Sequence, residues 1–140
     1  MTRIRTRFGD IAYSPEQLLT FPVGMIGSPN LRDFVVMPNR KEGPLFWIQS
    51  VDDPDMAFVL TDPTNFFPDY MVESEAAERR ILEIGEDDTC YPIVVVTVPP
   101  DLNITLNLSA PILFAPKTNR AIQIILEDSP YDTKTPLPKV

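Results

Sequence analysis

Three carboxylates crowd into four residues at Asp52-Asp53-Pro54-Asp55. A cluster of this kind could ligate a hard cation. It lacks the spacing and the glycine of a calcium loop. Turn chemistry accounts for the same residues: Asp closes turns through its side chain, and Pro54 biases Asp53 away from helix. Paired carboxylates can also act as general acid and base, but the 20 acids of this 140-residue chain create accidental pairs in number. Cys90 is the only cysteine, and its neighbours Asp87 and Asp88 oppose the lowered pKa that a thiol nucleophile needs. Gly24-Met25-Ile26-Gly27 is followed by neither Lys-Ser/Thr nor a long helix, so it reads as a tight turn and not as a phosphate loop. The chain contains no histidine, which excludes Ser-His-Asp and Cys-His catalysis and the usual histidine metal sites. Neither catalysis nor a metal nor a cofactor is expected.

Chemistry of another kind is concentrated in Phe66-Phe67-Pro68-Asp69-Tyr70. Aromatics in a proline-broken segment cannot all face one core easily. Either they cap the end of the fold, or some stand exposed as anchors for a protein partner. Acids beside aromatics suit a partner that is basic around an apolar pocket. The candidate contact residues are therefore Phe66, Phe67, Asp69 and Tyr70, with Asp52, Asp53 and Asp55 of the acidic turn.

The charge supports a protein partner over a nucleic acid. Net charge is -8, and phosphate binding needs concentrated Lys and Arg. The acidity is local: residues 42–116 hold fourteen acids and two bases, net -12, whereas residues 1–41 carry net +3 and residues 117–140 net +1. Such a surface speeds the approach of a basic partner, although like charge also serves solubility. No apolar run reaches the roughly 18 residues of a membrane helix, no targeting segment is visible, and a lone thiol fits a reducing compartment. A cytoplasmic, monomeric protein is expected, with no membrane and no direct nucleic-acid binding.

The elements that must position these residues are mostly strands. The 16 prolines argue against a bundle of long helices. Arg3 to Phe8 alternates, with Gly9-Asp10 as a turn into Ile11–Tyr13. Leu18–Phe21, Phe34–Met37, Leu45–Val51 and Ala57–Thr61 read as further strands, and Tyr70–Glu73 as a short one. Ser74–Ile84 is the one convincing helix, with Ser74 as N-cap, Ala77, Ile81 and Ile84 as its apolar stripe and Gly85 as its stop. Tyr91–Val98 is continuously apolar, as in a strand covered on both faces. Trp47 and the Ile93–Val98 run are assigned to the core. Ile104–Leu108, Ile112–Phe114 and Ala121–Leu126 complete the strands. The fold class predicted is mainly β: a small antiparallel β-barrel with one short α-helix, as a single domain over residues 1–128. Residues 129–140, with Pro130, Pro136 and Pro138, are expected to be a mobile C-terminal tail.

Taken together, Arg5-Thr6-Arg7-Phe8-Gly9, Phe21-Pro22-Val23-Gly24, Phe46-Trp47-Ile48-Gln49-Ser50-Val51-Asp52-Asp53-Pro54, Phe66-Phe67-Pro68-Asp69-Tyr70, Asn107-Leu108-Ser109-Ala110-Pro111-Ile112 and Gln123-Ile124-Ile125-Leu126-Glu127-Asp128 resemble the flagellar assembly factor FliW family. One stretch departs: Gly24-Met25-Ile26-Gly27-Ser28 stands where the family often has Gly-Leu-Pro-Gly-Phe. The resemblance implies a non-enzymatic β-barrel that binds flagellin in the cytoplasm. It also implies binding to the translational regulator CsrA, a basic RNA-binding dimer that blocks flagellin messenger RNA. The two partners compete, so that the factor freed by flagellin secretion sequesters CsrA and translation resumes. The alternative is a flagellin-specific chaperone without a translational role.

Overall fold

The computed structural model describes residues 2–6, 9–38, 44–127 and 129–138. Strands β1 (Thr2–Thr6) and β2 (Gly9–Tyr13) form a separate antiparallel hairpin, with Ile4 opposite Ile11 and Thr6 opposite Gly9. Alternation holds in β1: Arg3 and Arg5 are exposed, Ile4 and Thr6 buried. Gly9 and Asp10, expected as a turn, lie within β2. The expected extension of the first strand through Arg7 and Phe8 lies outside the described residues.

Seven strands close into a barrel. They are β3 (Leu18–Thr20), β4 (Asp33–Pro38), β5 (Leu45–Ser50), β6 (Ala57–Thr61), β7 (Tyr91–Thr97), β9 (Ile112–Ala115) and β10 (Arg120–Gln123). Their order is β7-β6-β5-β4-β3-β10-β9, closed by pairing of β9 with β7. A ring with an odd number of strands cannot alternate direction throughout, so one neighbour pair must run parallel. That pair is β3 with β10, joined at the single register position Thr20 and Arg120; the other six pairings are antiparallel. Two short strands, β8 (Thr105–Leu106) and β11 (Thr135–Pro136), continue the sheet from the far half of β7.

Alternation along the strands produces an inside and an outside core. Inside the barrel, Leu19, Phe21, Met25, Phe34, Ile48, Leu60, Ile112 and Ala121 are buried together. Phe34 meets Phe21 and Phe58 edge-on at centroid distances of 5.4 and 5.9 Å, the geometry preferred by aromatic quadrupoles. Outside, Val94 and Val96 of β7 pack with Leu106, Leu108 and Tyr70. A third cluster places Leu82 and Ile84 against Leu113, Ala115 and Ile122. Strand β7 is thus covered on both faces, as its unbroken apolar run requires. Trp47, assigned to the core from the sequence, is instead half-buried beside Leu45 and Val59 in an apolar groove.

The single helix, α1, is shorter than expected: Ala76–Ile81. Ser74 is not its N-cap. Glu75 occupies that position, and the Glu78 carboxylate accepts a hydrogen bond from the Glu75 amide at 2.7 Å. The stop is Glu83 rather than Gly85: Glu83 takes a left-handed φ of 57°, and the Ile84 amide reaches back to the Arg79 carbonyl. Residues 70–73 form no strand.

Of the tail expected to be mobile, residues 129–138 are described, and they pack against the barrel. Tyr131 and Leu137 sit on the outer cluster, the Tyr131 ring lies 4.7 Å from that of Tyr70, and β11 pairs with β8. Its three prolines prevent a long strand, but two residues with the right register suffice to hold an edge.

Tyr70 ties these pieces together. It is 3% exposed, and its hydroxyl donates to the Leu108 carbonyl at 2.7 Å. Tyr70→Phe leaves that carbonyl without its donor and is expected to cost about 1–2 kcal/mol, read as a lower melting temperature. Burial, with a smaller repulsion from the Tyr131 phenolate, raises the Tyr70 pKa well above its ordinary 10.0. The folded chain therefore holds this proton more tightly than the unfolded chain. The contribution is complete below about pH 10 and is lost as pH rises beyond it, at up to about 1.4 kcal/mol per unit. Stability curves of parent and Tyr70→Phe are expected to converge in that range.

Candidate functional site

The acidic turn is built from below by two buried polar residues. Gln49 and Ser50 end β5 with no exposure. The two N–H of the Gln49 side-chain amide are shared among the carbonyls of Ser50, Asp53, Pro54 and Met56, at 3.2–3.3 Å. The Ser50 hydroxyl accepts from the amides of Asp52 and Asp53 at 3.2 and 3.0 Å. Asp53 is itself spent on the turn, its carboxylate accepting from the Asp55 amide at 3.0 Å. Asp52 and Asp55 are left exposed to solvent. Among the described residues, no three Asp, Glu or Cys side chains converge as a metal site would require.

The aromatic segment lies at the other end of the barrel. A 3₁₀ turn at Pro63–Asn65 follows β6, with Asp62 as its cap: its carboxylate accepts from the Thr64 amide and hydroxyl at 2.9 and 2.6 Å. Phe66 and Phe67 then pack, half-buried, on the outer cluster, while Asp69 is exposed. Tyr70 is wholly committed to that cluster and offers no surface to a partner, which corrects its place among the candidate contacts. Of the two readings left open for these aromatics, capping accounts for Tyr70, and Phe66 and Phe67 retain only an exposed margin. Ala57 to Thr61 separates the two candidate groups by about 13 Å of strand. Asp52, Asp53 and Asp55 and the Phe66, Phe67, Asp69 and Tyr70 group thus flank opposite ends of β6.

Other features were not readable in advance. The Arg79 guanidinium hydrogen-bonds the carbonyls of Gly85, Glu86 and Asp88 and donates to the Ser74 hydroxyl at 2.8 Å. It folds the 82–90 loop around itself. Nearby, Lys117 pairs with Asp88 and Arg120 with Glu83, at 3.3 and 3.2 Å. The Asp88 carboxylate is held below its ordinary pKa by the Gly85 amide first and by Lys117 second. These are the only ion pairs among the described residues. Arg79, Lys117 and Arg120 are thus spent on one loop, and no other ion pair among the described residues offsets the acidic surface. A groove lined by Glu73, Glu75, Glu78 and Glu127 with Ile124, Ile125 and Leu126 belongs to that surface. The interior carries a hollow of about 260 Å³ between Leu19, Val36, Phe46, Leu60, Ile93, Ile112 and Phe114. Its walls are all apolar, so it has no convergent polar group with which to orient a substrate.

The loop that departs from the expected pattern keeps its essential residue. Gly24 has φ +74°, and a Cβ there would stand 2.3 Å from the Pro29 carbonyl oxygen, so only glycine fits. Gln123 pins this loop to the barrel: its carbonyl oxygen accepts from the Ile26 amide at 3.0 Å, and its amide donates to Ala110 at 3.1 Å.

The fold defines a small, closed, seven-stranded β-barrel with an acidic exterior. The family described as FliW protein matches residues 2–137. The flagellar assembly factor FliW of Syntrophotalea carbinolica is 64% identical over 135 residues, covering 96% of both chains. Flagellar assembly factor FliW 2 of Desulfotalea psychrophila is 61% identical over 140 residues, covering all of this chain and 93% of its own. A crystal structure of the flagellar assembly factor FliW superposes with a TM-score of 0.86 at 29% identity, over 99% of this chain and 98% of that one. This chain belongs to the FliW family of flagellar assembly factors, which is not a family of enzymes.

Gln49 tests the construction of the acidic turn. Gln49→Leu removes the donor shared by four carbonyls and is expected to cost about 2–3 kcal/mol. Amide exchange should quicken first at residues 52–56, ahead of the barrel strands.

Proposed function

We propose that this flagellar assembly factor is a cytoplasmic partner switch: it binds flagellin and, when free of flagellin, binds and antagonises the translational regulator CsrA. The observation that carries the reading is acidity left unneutralised on the outside of a barrel of this family. Net charge is -8, yet Lys117 and Arg120 are spent on the 83–88 loop. CsrA, as a basic RNA-binding protein, is drawn to such a surface, and negative charge lodged beside an RNA groove weakens RNA binding through space even without overlap. No helix among the described residues is long and apolar enough to cross a membrane. The proposed contacts are the exposed carboxylates Asp52, Asp55 and Asp69 and the margins of Phe66 and Phe67, with Asp53 acting through the turn that it holds.

Displacement tests the switch. The chain is immobilised and saturated with CsrA, and flagellin is then passed over it. Release of CsrA in proportion to flagellin bound is expected. Stable simultaneous occupancy overturns the switch, and capture of flagellin with no CsrA binding at all supports the chaperone reading. A charge reversal tests the electrostatics: Asp52→Lys, Asp55→Lys and Asp69→Lys together should slow CsrA association by about tenfold at low salt, the difference shrinking as salt is raised.

A further inference from the structure

Closure leaves one stretch of backbone open. Pairing of β3 with β10 stops at Arg120, while the chain runs on in extended form. The amides of Ile124 and Leu126 donate to the carbonyls of Pro111 and Ser109, at 2.9 and 2.8 Å. Strand geometry then turns the N–H and C=O of Ile125 to the opposite side. Neither takes part in a hydrogen bond among the described residues. Apolar side chains stand in the open near this edge, among carboxylates. Ile125 is 65% exposed, and Ile26, whose amide is bound by Gln123 two residues earlier on the same strand face, is 51% exposed. Around Ile125 stand Glu73, Glu75, Glu78 and Glu127, none in an ion pair among the described residues. The groove that Ile125 and these carboxylates share holds about 460 Å³.

An unpaired strand edge recruits an extended chain, and apolar side chains in the open favour one that covers them. Four carboxylates select the sign of that chain, since an acidic or neutral segment would leave them desolvated and unpaired. We propose that the 123–127 edge docks an extended segment of a basic protein, which hydrogen-bonds the main chain of Ile125, lays an apolar side chain over Ile125, and sets Lys or Arg against Glu73, Glu75, Glu78 and Glu127. The assignment of this segment to CsrA rests on the function proposed above; the shape and charge of the groove do not.

The test uses the full chain and two variants whose changed side chains make no hydrogen bond or ion pair among the described residues: Ile125→Asp, and Glu73→Lys with Glu127→Lys. Binding of CsrA is measured by calorimetry, with thermal melts to establish that the variants fold. A loss of affinity of tenfold or more in both variants, at unchanged melting temperature, is expected. Affinity within twofold of the parent in Ile125→Asp overturns the groove assignment and leaves the CsrA reading standing. If the parent binds no CsrA, that reading fails, and the groove is judged with a capped peptide of alternating Lys and Val. Amide shifts of the labelled chain centred on residues 123–127, and lost in Ile125→Asp, uphold the groove. Shifts scattered elsewhere, or none, overturn it.

Discussion

Closing seven strands around an apolar interior constrains everything outside the ring. An odd ring requires one parallel contact, and here it is reduced to a single position between Thr20 and Arg120. Six antiparallel pairs carry the remaining cohesion, and closure through β9 and β7 removes the long unpaired edges that an open sheet would present. The brevity of the parallel contact has a local result. Strand β10 parts from β3 almost at its start, and its continuation is held on one side only. The loop at residues 21–31 leans on that side through Gln123, and beyond it the backbone of Ile125 is open. The edge that invites a partner is a by-product of how the barrel closes.

Much of the barrel was legible because burial imposes a period. Arg3 to Thr6 alternates since one face is wet and the other is covered. Tyr91 to Thr97 does not alternate, since Val94 and Val96 face the outer cluster while Ile93 and Val95 face the interior. Features fixed by partners remote in sequence were not legible. The residue that accepts from the Tyr70 hydroxyl lies 38 positions away, and no local pattern marks Tyr70 as more buried than Phe66 or Phe67. The packing of residues 129–138 has the same origin. Proline content alone argues for a loose tail, but Tyr131 finds a ring to lie against and Thr135 finds Leu106.

The candidate site divides in the same way. The composition of Asp52-Asp53-Pro54-Asp55 announced a turn, and it is one. That Gln49 would hold the turn from beneath could not be read, because Gln49 lies within the strand run Leu45–Val51 like any alternating residue. Conversely, Glu75 and Glu78 open the helix, a local role; their second property, sharing a groove with Glu127 beside Ile125, depends on a register between segments some fifty residues apart. Local signals identified what each residue does for its own element. Which residues share a surface was decided by closure.

Rigidity bears on how two partners could exclude one another. Communication between distant sites needs an element with two arrangements that both sites bias. The described parts of this barrel offer little of that kind: its wall is covered on both faces along β7, its interior rings interlock edge to face, and its outer segments are tied down by Tyr70, Arg79 and Gln123. Mutual exclusion on such a body follows most directly from footprints that overlap or abut, or from like charges of two partners brought side by side. The acidic groove and the aromatic margin are joined through the chain from Phe67 to Glu75, only a few residues apart, whereas the Asp52–Asp55 turn lies at the far end of β6. Two partners that compete are therefore expected to meet along the 66–78 stretch and its neighbouring edge.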